Sequence, residues 1–100
     1  MNHLTLYDRH CGKNEHQVLE IKVDDEGDLV FEGYDIGDSV EEYWGDSDYE
    51  YWLTVKADQL PRVLLHLIKE CFEKKIFTND SEFREWLTKK GIPSEFQSWV

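Results

Sequence analysis

The chain has 100 residues, 40% hydrophobic and 33% charged, with 22 Asp and Glu against 11 Lys and Arg, for a formal net charge of −11. A chain of that length makes one domain, residues 1–100, and its carboxylate excess argues against direct binding to nucleic acid phosphates or to an anionic membrane surface. It has no apolar run near the roughly 18 residues that span a bilayer, and two cysteines are too few for a disulfide scaffold, which points to a reducing, cytoplasmic compartment.

The opening MNHLTLYDRH has neither a basic start nor an apolar h-region, so no secretion signal is read there. LTLYDR alternates as a strand, placing Leu4 and Leu6 on one face and Thr5 and Tyr7 on the other. HCGKNEH follows as a polar loop. VLEIKV alternates again, with Leu19, Ile21 and Val23 on one side and Glu20 and Lys22 on the other. DDEG reads as a hairpin turn in which Gly27 is free to take positive φ. DLVFEGY returns as the third strand with Leu29 and Phe31 inward, and YEYWLTV is the fourth. Its alternation sets Tyr49, Tyr51, Leu53 and Val55 on one face and Glu50, Trp52 and Thr54 on the other.

Between the third and fourth strands, Asp38 and Glu41 fit a capping box, and Val40, Tyr43 and Trp44 share a helical side. A helix of one or two turns and an extended acidic loop both fit this segment. DQLPRVLLHLIKECFEKK is a helix with Asp58 as its cap and Pro61 in the first turn. Leu60, Val63, Leu64, Leu67, Ile68, Cys71 and Phe72 form its apolar stripe. NDSEFREWLTKK is a second helix, with a capping box from Asn79 and Glu82 and a buried stripe of Phe83, Trp86 and Leu87. Gly91 takes the left-handed end position, and Ile92 packs back on Leu87. The tail SEFQSWV is expected to pack through Phe96 and Trp99. Strands followed by helices give an α+β fold: an antiparallel four-stranded meander sheet, then two C-terminal helices packed on one face.

No Gly-x-Ser-x-Gly elbow and no Gly-rich phosphate loop occurs, and the chain is expected not to be an enzyme. The enzyme alternative would use Cys11 with His10 or His16, but nothing in the sequence supplies a third orienting group. His3, His10, Cys11 and His16 match no zinc spacing. Asp46, Asp48 and Glu50 start a calcium-like pattern that fails at Tyr51 and Ala57, where Gly and Glu are needed. No metal or other cofactor is expected.

The charge is unevenly spread. Twelve Asp or Glu and no Lys or Arg lie between Val23 and Val55, leaving ten acidic and eleven basic residues elsewhere. Within that third, EEYWGDSDYEYW interleaves five carboxylates with five aromatic rings. Aromatic anchors bordered by acids are the composition of a recognition patch, in which rings bind and charges steer. Glu41, Glu42, Asp46, Asp48 and Glu50 are therefore expected to attract a basic protein partner, with Trp44 and Trp52 as anchors.

GYDIGDSVEEYWGDSDYEYWLTV and the ending GIPSEFQSW resemble small acidic bacterial proteins of unassigned function. In composition the chain is also similar to toxin-immunity proteins and other inhibitors of nucleic-acid-acting enzymes. That resemblance implies an inhibitor that blocks a nuclease-like partner by occupying its phosphate-binding groove, and the chain is expected to be a monomer or weak dimer. A self-assembling structural subunit is the remaining alternative.

Overall fold

The computed structural model describes residues 3–12, 14–37 and 48–99, and for Cys11 and Asp48 the backbone alone. In chain order the elements are β1 (His3–Gly12), β2 (Glu15–Val23), β3 (Leu29–Ile36), β4 (Asp48–Val55), a 3-10 turn (Ala57–Gln59), α1 (Leu60–Glu73) and α2 (Asp80–Lys89). The strands form one antiparallel meander in the order β1-β2-β3-β4, and two helices follow, an α+β layout. The chain divides into two compact units, Met1–Pro61 and Arg62–Val100.

In the first unit the pairing of β2 with β3 and of β3 with β4 runs without interruption. Leu19, Ile21 and Val23 therefore share a face with Leu29, Phe31, Leu53 and Val55, as alternation requires. β1 departs from alternation. Thr5 pairs with Glu20 and Tyr7 with Leu19, which leaves Leu6 as the extra residue of a bulge. The bulge turns Tyr7 onto the apolar face with Leu4, correcting its expected place beside Thr5. The stretch expected as a polar loop, residues 10–16, is also largely strand. β1 runs to Gly12 and β2 starts at Glu15, with Asn14 at φ 63° in the connection, a conformation Asn tolerates better than most residues. β1 is an edge strand, where polar side chains can extend a ladder while facing water.

The turn from β2 to β3 is stitched by side chains. The Asp24 carboxylate accepts from the Glu26 and Asp28 N–H groups at 3.0 Å each, and Gly27 adopts φ 82°. Asp28, only 4% exposed, accepts from Lys56 Nζ at 2.7 Å and from the Ala57 N–H at 2.8 Å. That second bond satisfies the first N–H of the 3-10 turn. Asp58 lies inside this turn and is not its cap, because the capping acceptor arrives from the hairpin instead. The Lys56 ammonium, and after it the Ala57 N–H, holds the Asp28 carboxyl below its ordinary pKa.

In the second unit, Phe77, in the link between the helices, gathers the rings around it. Its centroid lies 5.4 Å from Phe83, 6.1 Å from Trp86 and 6.1 Å from Phe72. Leu67, Ile68 and Cys71 of α1 and Leu87 of α2 line the same apolar cleft of about 520 Å³. Asn79 caps α2, accepting from the Glu82 N–H at 2.9 Å. The Glu82 carboxylate closes the box one residue early, on the N–H and hydroxyl of Thr78 at 2.6 Å, and those bonds lower its pKa. α2 ends as its sequence predicts. Gly91 takes φ 71° and Ile92 donates its N–H to the Leu87 carbonyl at 2.9 Å. In the tail, Arg84 stacks over Phe96 at 4.0 Å, whereas Trp99, expected to pack, is exposed.

Candidate functional site

The register of the meander builds two cross-strand rows on the face opposite the apolar one. Thr5, Glu20, Glu32 and Trp52 stand directly across from one another through all four strands. The neighbouring row is Asp8, Val18, Tyr34 and Glu50. Directly opposed residues share a face and sit close enough to interact, so this register sets three glutamates around two rings. A depression of about 210 Å³ lies between the rows, lined by Val18, Glu20, Glu32, Tyr34, Glu50 and Trp52.

The carboxylates are not equivalent. Glu20 meets His3 Nε2 at 2.6 Å and accepts from the Thr5 hydroxyl at 3.4 Å. Glu32 meets Lys22 Nζ at 2.6 Å, and that hydrogen bond raises the Lys22 pKa. Glu50 is exposed and has no ion-pair partner among the described residues. Trp52 is 63% exposed, and the Glu32 that stands directly across from it is itself engaged by Lys22. Glu20 facing Glu32 is a like-charge cross-strand pair, which costs sheet stability, and the Lys22 ammonium on Glu32 acts against that cost.

Of the residues expected to bind a partner, Glu50 and Trp52 come together on this face, as the alternation of β4 predicts. Asp48 opens β4 opposite Ile36. Glu41, Glu42, Trp44 and Asp46, with the short helix read over that segment, lie outside the described residues. Sequence reasoning missed Val18, Glu20, Glu32 and Tyr34. The signal was available in the period-2 pattern of β2 and β3, once strands adjacent in sequence are paired in chain order.

Of the histidines on the first hairpin, His10 and His16 come together and His3 lies at the far end. His3 stands at one end across from Lys22, and His10 stands at the other across from His16. The His10 and His16 rings stack at 4.3 Å, and His16 Nε2 contacts Asp8 Oδ1 at 2.6 Å. Cys11 falls at a second register irregularity, between His10 and Gly12. Among the described residues no group of three or more His, Cys, Asp or Glu is placed to hold a metal ion, and no helix is long and apolar enough to cross a membrane.

No protein-family model, curated protein sequence or solved structure matches the chain.

Proposed function

We propose that this chain is a non-enzymatic binding protein that docks its acidic sheet face on a basic surface of a protein partner. The observation that carries the reading is the paired cross-strand rows, which surround an exposed indole with Glu20, Glu32 and Glu50. Charged groups of one sign around an aromatic anchor steer a partner of opposite sign and then hold it by ring contact. In its most specific form the partner is a nuclease-like toxin whose phosphate-binding groove the acidic face fills, in the cytoplasm of the cell that makes both. Glu41, Glu42, Asp46 and Asp48 add long-range attraction and Trp44 a second anchor.

The test has two parts. Proteins captured by the wild-type chain at about 0.05 M salt are compared with those held by a Glu50→Gln/Trp52→Ala variant. Association rates of each captured protein are then measured up to about 0.5 M salt, where the Debye length falls well below ~10 Å. The reading expects a basic protein whose association slows by an order of magnitude or more across that range and which the variant holds weakly. Captured proteins of no particular charge, associating at salt-independent rates, would overturn it.

A further inference from the structure

Resting on that reading, we infer that the depression between the two cross-strand rows is a receptor for one arginine side chain of the partner. Three features select this occupant. The volume, about 210 Å³, is below the ~300–1,000 Å³ of small-molecule sites and suits a single side chain. Trp52, 63% exposed, offers a ring face, and cations bind Trp more strongly than the other aromatic residues. The third feature is the placement of charge. Glu50 stands one row from Trp52 with no described ion-pair partner, while Glu20 and Glu32 are held back by His3 and Lys22.

A planar guanidinium fits this arrangement better than an ammonium. It can lie flat on the indole while its edge donates to a carboxylate beside the ring, and it gives up its hydration more readily. A lysine ammonium would be one point charge among three glutamates, with no edge to divide between ring contact and hydrogen bonding. Tyr34 and Val18 supply the wall for the aliphatic stem, since long basic side chains bury their methylenes against apolar surface.

The experiment titrates the intact chain with three short blocked peptides, identical but for a central arginine, lysine or citrulline. The readout is the Trp52 indole N–H resonance, identified by its disappearance in Trp52→Phe. The arginine peptide is expected to shift this resonance saturably and to bind about threefold or more tighter than the lysine peptide, and citrulline should leave it unmoved. Glu50→Gln should weaken arginine binding about threefold or more, with the melting transition checked to confirm that the variant is folded. Equal responses to arginine and citrulline, or binding unaffected by Glu50→Gln, would overturn the inference. If the arginine peptide binds and no basic protein is captured, the proposed function falls and the receptor stands. If a basic protein is captured with steep salt dependence and Trp52 is blind to arginine, the receptor falls and the function stands.

Discussion

Gly33 shows how much one missing side chain can organise. It stands in mid-strand between Leu19 and Tyr51, and the Tyr51 ring occupies the space its side chain would fill, with ring atoms 1.9–2.5 Å from where a Cβ would lie. A ring laid over a strand glycine repairs the packing gap the glycine leaves. Here it also brings Tyr51 to a hydrogen bond with Tyr7, the residue the β1 bulge turned onto this face. Burial first, then that hydrogen bond, then the nearby Asp35 charge push the Tyr51 hydroxyl up to about 12. An acid whose folded pKa is raised stabilises the fold below its unfolded pKa, and loses that contribution as pH climbs through the folded value. Tyr51 therefore supports the sheet up to pH 10 and ceases to by about pH 12. Gly33→Ala forces the ring aside, and because Tyr49 stacks on it at 5.3 Å the ring has little room to yield. The expected cost is about 1–3 kcal/mol. Absorbance titration should show late ionisation of Tyr51 in the wild type and its return toward pH 10 in the variant. An unchanged melting temperature and titration would remove Tyr51 from this role.

At the scale of elements, the two helices finish in the same way by different means. In both, the N–H of the third residue past the helix reaches back to a carbonyl five residues earlier: Ile76 to Cys71 at 2.8 Å and Ile92 to Leu87 at 2.9 Å. The left-handed position is Gly91 after α2 and Lys75, at φ 59°, after α1. A Cβ there is strained, so Lys75→Gly should stabilise the helical unit by about 0.5–1 kcal/mol, read as a rise in the denaturation midpoint, whereas Gly91→Ala should lower it. A Lys75→Gly variant no more stable than wild type would mean that the lysine gains something the backbone geometry does not reveal. The same contrast explains what could be read in advance. Asn79, Gly91 and Ile92 announce the limits of α2 because each is the residue type its position demands. The end of α1 has no such marker. The β1 bulge was equally hidden, since one inserted residue leaves no trace in a period-2 pattern. The approach to α1 misled because a 3-10 turn precedes it, and the acceptor for that turn's first N–H, at Ala57, is Asp28, 29 residues away. At the site, the alternation of β4 was enough to pair Glu50 with Trp52, but Glu20 and Glu32 join them only through register.

At the scale of the whole molecule, the charge divides with the fold. The sheet unit, Met1–Pro61, carries sixteen Asp and Glu against four Lys and Arg, a net of −12, and Arg62–Val100 carries six against seven, a net of +1. Of the four cations in the sheet unit, Lys22 and Lys56 are already committed to Glu32 and Asp28, and Arg9 lies over the Tyr7 ring at 4.0 Å. Most of the carboxylates in that unit therefore repel one another across its surface, and repulsion of this kind opposes the compact state. Salt acts on it in a known direction. Screening shortens the reach of charge from ~30 Å at 0.01 M to ~10 Å at 0.1 M and ~3 Å at 1 M. Screening also weakens the exposed ion pairs, but such pairs contribute only about 0–1 kcal/mol each. Relief of repulsion should win, so the thermal midpoint of the sheet signal should rise by several degrees between about 0.01 M and about 0.5 M sodium chloride, at roughly 4–8 °C per kcal/mol for a domain of this size. A bulky monovalent cation should produce the same rise, because screening depends on ionic strength and not on ion identity. Neutralising Glu20, Glu32 and Glu50 to Gln should raise the midpoint at low salt and flatten its salt dependence. A midpoint that fell with salt would mean that the few ion pairs outweigh the repulsion. The acidic face would then be a set of local contacts, with no long-range field to steer a partner.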